Sequence, residues 1–322
     1  MLLALAPNAF AGEAMWTLGY GLQQGLNAAQ VACLYALLAV AYSLLHGVTS
    51  RIILSFGDVA MFAAFYICYM MMLALLTGWS VALALTLVFL AGAVGTAALS
   101  DVLQRGVFSP LIKAPNQAIM IASIGVAIVL QEAMRLHSGG REQWLPPFAT
   151  GSLVEGDFDG FAVRISYMQA VTFLFAIGLL VALGVVLKTS SAGRYWRACT
   201  QNRALAALCG INVERVTRFT ALGSAIFAAA SGWILAVTYG GVSFYMGLVL
   251  GLKALFASII GGFGTIGGAV AGGIALAVLE TVWTALFPII YRDVAVFLII
   301  ILVLVLKPEG ILGVAVRRDS EV

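Results

Sequence analysis

The sequence predicts an all-α integral membrane protein, a polytopic bundle of about eight or nine transmembrane helices with two interrupted or re-entrant segments. Three observations predict it. Of the 322 residues, 62% are hydrophobic and 10% are charged, and the mean hydropathy is +1.06, more apolar surface than a water-soluble chain of this length can hide. Apolar runs of about 20 residues, the length that crosses roughly 30 Å of hydrocarbon, recur between residues 16 and 306. The basic residues gather in alternate connecting loops, as they do when one side of a bilayer retains Lys and Arg.

Residues 1–15 are an expected N-terminal lead. Met1 to Ala11 is mildly apolar and ends in small residues, but it lacks a basic n-region and is short for a signal sequence. The transmembrane domain is placed at 16–313, with its first span at 16–46 and its second at 53–77. Ser55-Phe56-Gly57-Asp58, at the start of the second, marks a helix break. Spans follow at 80–101 and 115–136, and the loop between them holds Arg105 and Lys113. A polar stretch at 138–167 carries Glu142, Glu155, Asp157 and Asp159 against Arg141 and Arg164, with Pro146-Pro147. It serves either as a plain connector or as a platform for an external partner.

The fifth span is placed at 168–188. After it, Lys188, Arg194, Arg197, Arg203, Arg215 and Arg218 crowd one polar segment, with Glu214 the only acid among them. Such a surplus marks a cytoplasmic loop. The remaining spans are placed at 216–238, 247–262, 266–288 and 293–306, and a second break at Gly261-Gly262-Phe263-Gly264-Thr265-Ile266-Gly267-Gly268. A cytoplasmic tail, 314–322, holds Arg317 and Arg318. Nine crossings with the basic segment inside put the C-terminus inside, the N-terminus outside and the acidic 138–167 loop outside. The two breaks, one near each end of the chain, hint at a repeated half.

Several function classes fall away. No basic stripe with interleaved aromatics points to nucleic acid. Cys33, Cys68, Cys199 and Cys209 lack CxxC spacing, so neither a metal site nor a disulfide framework is expected. Gly262-x-Gly264-x-x-Gly267 fits a dinucleotide fingerprint in letters only, because apolar helical runs flank it where a strand and a βαβ unit are required. No Gly-x-x-x-x-Gly-Lys-[Ser/Thr] loop occurs, so any ATP dependence comes from another polypeptide. His46 and His137, the two histidines, sit at helix ends on opposite sides, which argues against a hydrolytic constellation.

Irregular backbone at membrane depth survives only when buried in protein or lining a wet cavity, so the breaks nominate Gly57, Gly262, Gly264 and Gly267 as pathway residues. Asp58, Lys253 and Glu280 fall inside spans or breaks, where an unpartnered charge is expensive. They either line a solute path or pair with one another. Gly247-x-x-x-Gly251 and Gly268-x-x-x-Gly272 have the spacing of close helix contacts. Tyr239, Phe244 and Tyr245 act as interfacial anchors or as a gate.

The stretch Gly193-Arg194-Tyr195-Trp196-Arg197-Ala198-Cys199 through Ala207-Leu208-Cys209-Gly210-Ile211-Asn212 resembles the permease subunits of branched-chain amino acid ABC importers. The likeness continues through Gly251-Leu252-Lys253-Ala254-Leu255, the glycine run 261–268 with Ala269-Val270, Leu279-Glu280, and Lys307-Pro308-Glu309-Gly310-Ile311-Leu312-Gly313. In the first half, Gly25 to Gly47 resembles the family's opening helix and Gly57-Asp58 the end of its first break. Ile53-Leu54-Ser55-Phe56 stands where the family commonly has Asn-Phe-Ala-His, and Ala63-Ala64-Phe65 where Gly-Ala-Tyr is usual.

The resemblance implies a bacterial inner-membrane importer. Its partners would be a second related permease subunit, two cytoplasmic ATPase subunits and a periplasmic solute-binding protein, all around the lipid bilayer. No cofactor belongs to this chain, since ATP and Mg are used by the ATPases. Close relatives of the family import urea or short amides. Segment 189–215 would then carry the cytoplasmic coupling helix, with Arg194, Trp196, Arg197, Arg203, Ala206, Leu208 and Gly210 at the motor. A rival reading is a self-sufficient facilitator or ion-coupled carrier working through Asp58, Lys253 and Glu280, and a third is an assembly protein with no path.

Overall fold

A computed structural model describes residues 18–146, 148, 151–158, 161–307 and 310. The lead 1–15, Pro147, Asp159, Pro308, Glu309, residues 311–313 and the tail 314–322 with its two arginines lie outside the described residues.

Among the described residues there are nine long α-helices and two short ones. They are α1 (Leu18–Thr49), α2 (Phe56–Leu76), α3 (Val81–Leu103), α4 (Asn116–His137), α5 (Tyr167–Thr189), α6 (Ser191–Gln201), α7 (Arg203–Leu208), α8 (Val213–Tyr239), α9 (Met246–Gly261), α10 (Ile266–Leu286) and α11 (Arg292–Leu306). Eight helical stretches among the described residues are long and apolar enough to cross a bilayer, and α9 is the shorter apolar helix beside them. The chain is therefore a multi-pass all-α membrane protein. The long spans agree with their expected positions to within a few residues.

One end of the bundle carries α6 and α7, and is called the basic end. The other carries an antiparallel hairpin, β2 (Ser152–Phe158) with β3 (Phe161–Ser166). There, β1 (Gln143–Trp144) also pairs with β4 (Gly241–Val242). The polar 138–167 connector thus contains strands, which apolar-run counting does not detect. Gln23 near the start of α1 accepts from the Arg164 amide at 3.0 Å, which fixes the hairpin on that end.

Helices α1 and α8 form the buried axis, and α5 and α11 the most exposed edge. Around the axis the packing is two-fold in plan. α1 lies along α10 as α8 lies along α3, and α2 packs on α8 as α9 packs on α1. Each half has the same order: a long helix, a non-helical stretch (50–55 or 240–245), a helix that starts inside the bundle, a tight turn (77–80 or 262–265), and two more helices. The halves run in opposite directions. α2 heads for the hairpin end and α9 for the basic end, which makes the hinted repeat an inverted one.

The first interruption lies within the bundle, as expected. α1 ends with Ser50 in the left-handed region at φ 51°, and the chain turns back inward alongside α4. Arg51 donates to Ala114 O at 2.9 Å near the foot of α4, the Leu54 amide to Ser123 Oγ at 3.1 Å, and Gln131 Nε2 to Asp58 Oδ1 at 2.8 Å. At 1.5 Å per residue, α2 begins roughly 10–20 Å inside the foot of α4.

The Gly261–Gly268 run is non-helical over 262–265, but as the α9–α10 turn beside the last turns of α1, where Ser43 Oγ donates to Thr265 O at 3.2 Å. The counterpart of the first interruption is 240–245, opened by Gly240 at φ 68°, a conformation that costs glycine nothing.

Candidate translocation and coupling site

The two half-bundle helices meet at their N-termini. A Cβ on Gly57 would sit against Gly247 O and the Gly251 backbone, and a Cβ on Gly247 would collide with Asp58 Oδ1. Backbone therefore touches backbone here, which only glycine allows. Tyr42 joins the junction: its hydroxyl donates to Leu54 O at 3.2 Å and accepts from the Gly57 amide at 3.1 Å. Asp58 is fully buried, and while Oδ1 holds Gln131, Oδ2 has no hydrogen-bond partner among the described residues. Its carboxylate lies against the first turn of α9, whose N–H groups lack intrahelical acceptors and carry the positive end of the helix dipole.

Because α9 starts inside the bundle, space remains between its N-terminus and the hairpin end. A cavity of about 500 Å³ occupies it, with Asn27 and Tyr35 of α1, Tyr239 of α8, Met246 and Leu250 of α9, and Glu280 of α10 among its lining. The inverted counterpart beneath α2, between Tyr42, His46, Arg51 and Phe56, holds about 10 Å³. There the 50–55 segment fills the gap and the His46 ring meets Phe263 edge-on at 3.8 Å. At the junction of α2 and α9, the space toward the hairpin end is open and that toward the basic end is filled.

The floor of the larger cavity is ionic. Lys253 Nζ lies 3.0 Å from Glu280 Oε1 and 2.8 Å from Asp293 Oδ1. Arg292 Nε is 3.1 Å from the same Glu280 oxygen and 3.2 Å from Asp293 Oδ1. Tyr35 donates to Glu280 Oε2 at 2.6 Å. Of the three intramembrane charges singled out in the sequence, Lys253 and Glu280 pair with each other and Asp58 stands apart. The network knits α1, α9, α10 and α11 together. Losing one partner from such a buried set leaves an uncompensated charge and costs about 3–5 kcal/mol.

Tyr35, Gln131, Arg292 and Asp293 were not among the expected site residues. Arg292-Asp293 was legible as a charged pair opening an apolar run, and Tyr35 and Gln131 only as polar groups within spans. Of the glycines, Gly262 and Gly264 form the α9–α10 turn with positive φ. Gly267 has open space around it, whereas Gly268 and Gly272 press on Gly261 and Ala257.

At the basic end the expected single coupling helix is two, broken at Asn202. Each of the three starts is capped by the residue before it: Ser190 Oγ accepts from the Gly193 amide, Asn202 Oδ1 from Leu205 and Asn212 Oδ1 from Arg215. Trp196 and Ala206 face the chain itself. Trp196 Nε1 donates to Leu44 O at 3.2 Å, and Ala206 is 4% exposed. Arg203 donates to Thr49 O at 3.2 Å and Arg197 to Leu187 O, while Arg194 and Gly210 are exposed. Of its large hydrophobic side chains, the segment exposes Tyr195 (49%), Leu205 (59%) and Leu208 (83%). Burial raises the Cys199 thiol above its ordinary pKa, with Arg203 opposing.

The family model described as branched-chain amino acid transport system / permease component matches residues 25–305. The chain is 34% identical over 303 residues to the high-affinity branched-chain amino acid transport system permease protein LivH of Escherichia coli K12, covering 91% of this chain and 96% of LivH. It is 34% identical over 295 residues to the corresponding permease protein BraD of Pseudomonas aeruginosa, covering 91% and 95%. A more distant likeness, 29% over 210 residues, is to the autoinducer 2 import system permease protein LsrC of Klebsiella pneumoniae, covering 62% and 58%.

Proposed function

From the premise that the chain belongs to the branched-chain amino acid transport permease family, we propose that it is the membrane-spanning, non-catalytic subunit of an ABC importer for leucine, isoleucine and valine. The family match over residues 25–305 carries this reading. The bundle suits it: a cavity opens at one end, a plug closes the other, and an apolar pair, Leu205 and Leu208, stands exposed among basic residues.

In this reading the basic end faces the cytoplasm of a bacterial inner membrane and receives one of two ATPase subunits on α6–α7. The hairpin end faces a solute-binding protein, and a second related permease completes the path. Force has a short route inward. Trp196 and Thr200 lie against Gly47, and Gly47 against Gly264, so displacing α6 moves the end of α1, the 50–55 plug and the α9–α10 turn together. Such a packed unit supports two discrete arrangements that a motor biases.

The carrier reading rested on intramembrane charges free to handle ions. Lys253 and Glu280 instead pair with each other, which leaves Asp58 as the one of its three residues outside that pair.

Uptake of labelled leucine by a strain lacking its own importer, with the chain supplied together with a related permease, ATPase subunits and a solute-binding protein, tests the proposal. Uptake competed by isoleucine and valine supports it. Uptake competed by urea or acetamide and not by valine would reassign the solute.

A further inference from the structure

At the basic end a second opening, about 590 Å³, separates α5 from α8 under the roof of α6. Its walls are apolar: Leu183 and Leu187 on α5, Val216 and Phe219 on α8, with Trp196 at the back. Helix α5 is among the two least buried spans, so one wall of the slot belongs to a helix that borders the acyl chains. At its mouth stands Arg215, which is exposed.

The neighbouring charges on α8 are engaged elsewhere. Arg218 is bound to Asp101 at 2.6 Å, and Glu214 accepts from Ser109 at 3.2 Å. Arg215 has no carboxylate within ion-pair distance among the described residues. The groove's lining therefore includes one guanidinium, that of Arg215, with no carboxylate partner among the described residues. At the deep end Gly223 faces open space, about 12 Å along the helix from Arg215.

We propose that this groove is a binding site for an anionic phospholipid, with one acyl chain lying between α5 and α8 and the phosphate on Arg215. An apolar slot of this size gains by filling with hydrocarbon, each buried methylene adding to the affinity. A basic residue at the headgroup level selects anionic over zwitterionic lipid. The lipid would support α6 from beneath, making the stability of the coupling segment dependent on the composition of the bilayer.

The test uses the purified full chain, delipidated in detergent, with phosphatidylglycerol or phosphatidylethanolamine of equal chain length added. Binding is read by native mass spectrometry and by the thermal midpoint. Phosphatidylglycerol should bind more tightly, and Arg215→Gln should weaken it about fivefold, the equivalent of about 1 kcal/mol for a basic residue at an anionic surface. Phosphatidylethanolamine should change little in that variant.

Gly223→Leu, whose Cβ enters open space, extends a side chain into the groove and should abolish retention of both lipids, while Gly178→Leu, whose Cβ is also clear but which lies on α5 outside the groove, should not. Glycerol phosphate, the headgroup without chains, should not compete. Equal binding of the two lipids by the unaltered chain, or full retention by Gly223→Leu, would overturn the proposal and leave the groove to a neighbouring protein segment.

Discussion

Replacing Gly57 with alanine probes the place where α2 and α9 meet. The added methyl would lie 2.7 Å from the Gly251 nitrogen and closer still to Gly247 O and Gly251 Cα. Unstrained carbon contacts lie near 3.5–4.0 Å, so α9 has to withdraw by about 1 Å. Over-packing of this kind costs about 1–3 kcal/mol. The upper end applies, because the opposing atoms are backbone and no rotamer change relieves them. Alanine recovers up to about 1 kcal/mol in helix propensity, leaving a net loss of about 2 kcal/mol, roughly thirtyfold in the folding equilibrium.

Gly125→Ala in α4, where nothing lies within 4 Å of the new Cβ, has the propensity gain without the clash and should stabilise. The two variants are compared by thermal unfolding in detergent and by leucine uptake at matched expression. If Gly57→Ala proves as stable as Gly125→Ala and transports normally, the half-helices do not meet as described.

Three further expectations concern the ionic floor, the coupling pair and the cysteines. Lys253→Met should destabilise by about 3–5 kcal/mol, and adding Glu280→Gln should restore part of that loss; strictly additive losses in thermal midpoint would contradict a shared network. Leu208→Asp should leave the unfolding free energy within about 0.5 kcal/mol of the unaltered chain while abolishing uptake. Ala206→Asp, which buries a charge against the bundle, should lower the midpoint, and the reverse ranking would mean that α7 is oriented otherwise. A membrane-impermeant maleimide should modify exposed Cys209 in inside-out vesicles and not in intact cells. Cys199, buried and held protonated, should stay unmodified from either side.

The spans were legible because each is a run of about 20 apolar residues set off by polar or glycine-rich stretches, and Asp58 revealed the first interruption by its charge. The second interruption escaped notice. Val237 to Gly247 keeps enough aromatic and aliphatic character to pass as the end of one span and the start of the next, and only Gly240-Gly241 signals the break. The glycine run 261–268, more conspicuous in the sequence, is an antiparallel turn at the bundle end.

Which charges meet depends on helices distant in the chain, so the Lys253–Glu280 pair was one of two open readings while Tyr35 and Asp293 went unnoticed. Trp196 and Ala206, expected at the motor, are buried against the chain itself, and for a related reason the sequence does not show which way α6 and α7 face. An amphipathic pattern separates an apolar face from a polar one without saying whether that face meets the chain itself or a partner. The exposure of Leu205 and Leu208 resolves it in part.

Transport by defined components is the most direct trial of the account. The chain would be reconstituted in liposomes alone, and then with its companion permease, ATPase subunits and binding protein, and loaded with labelled leucine outside. The account predicts accumulation only in the complete assembly and only with ATP. Leucine equilibrating through the chain alone, or an assembly indifferent to ATP, would contradict it.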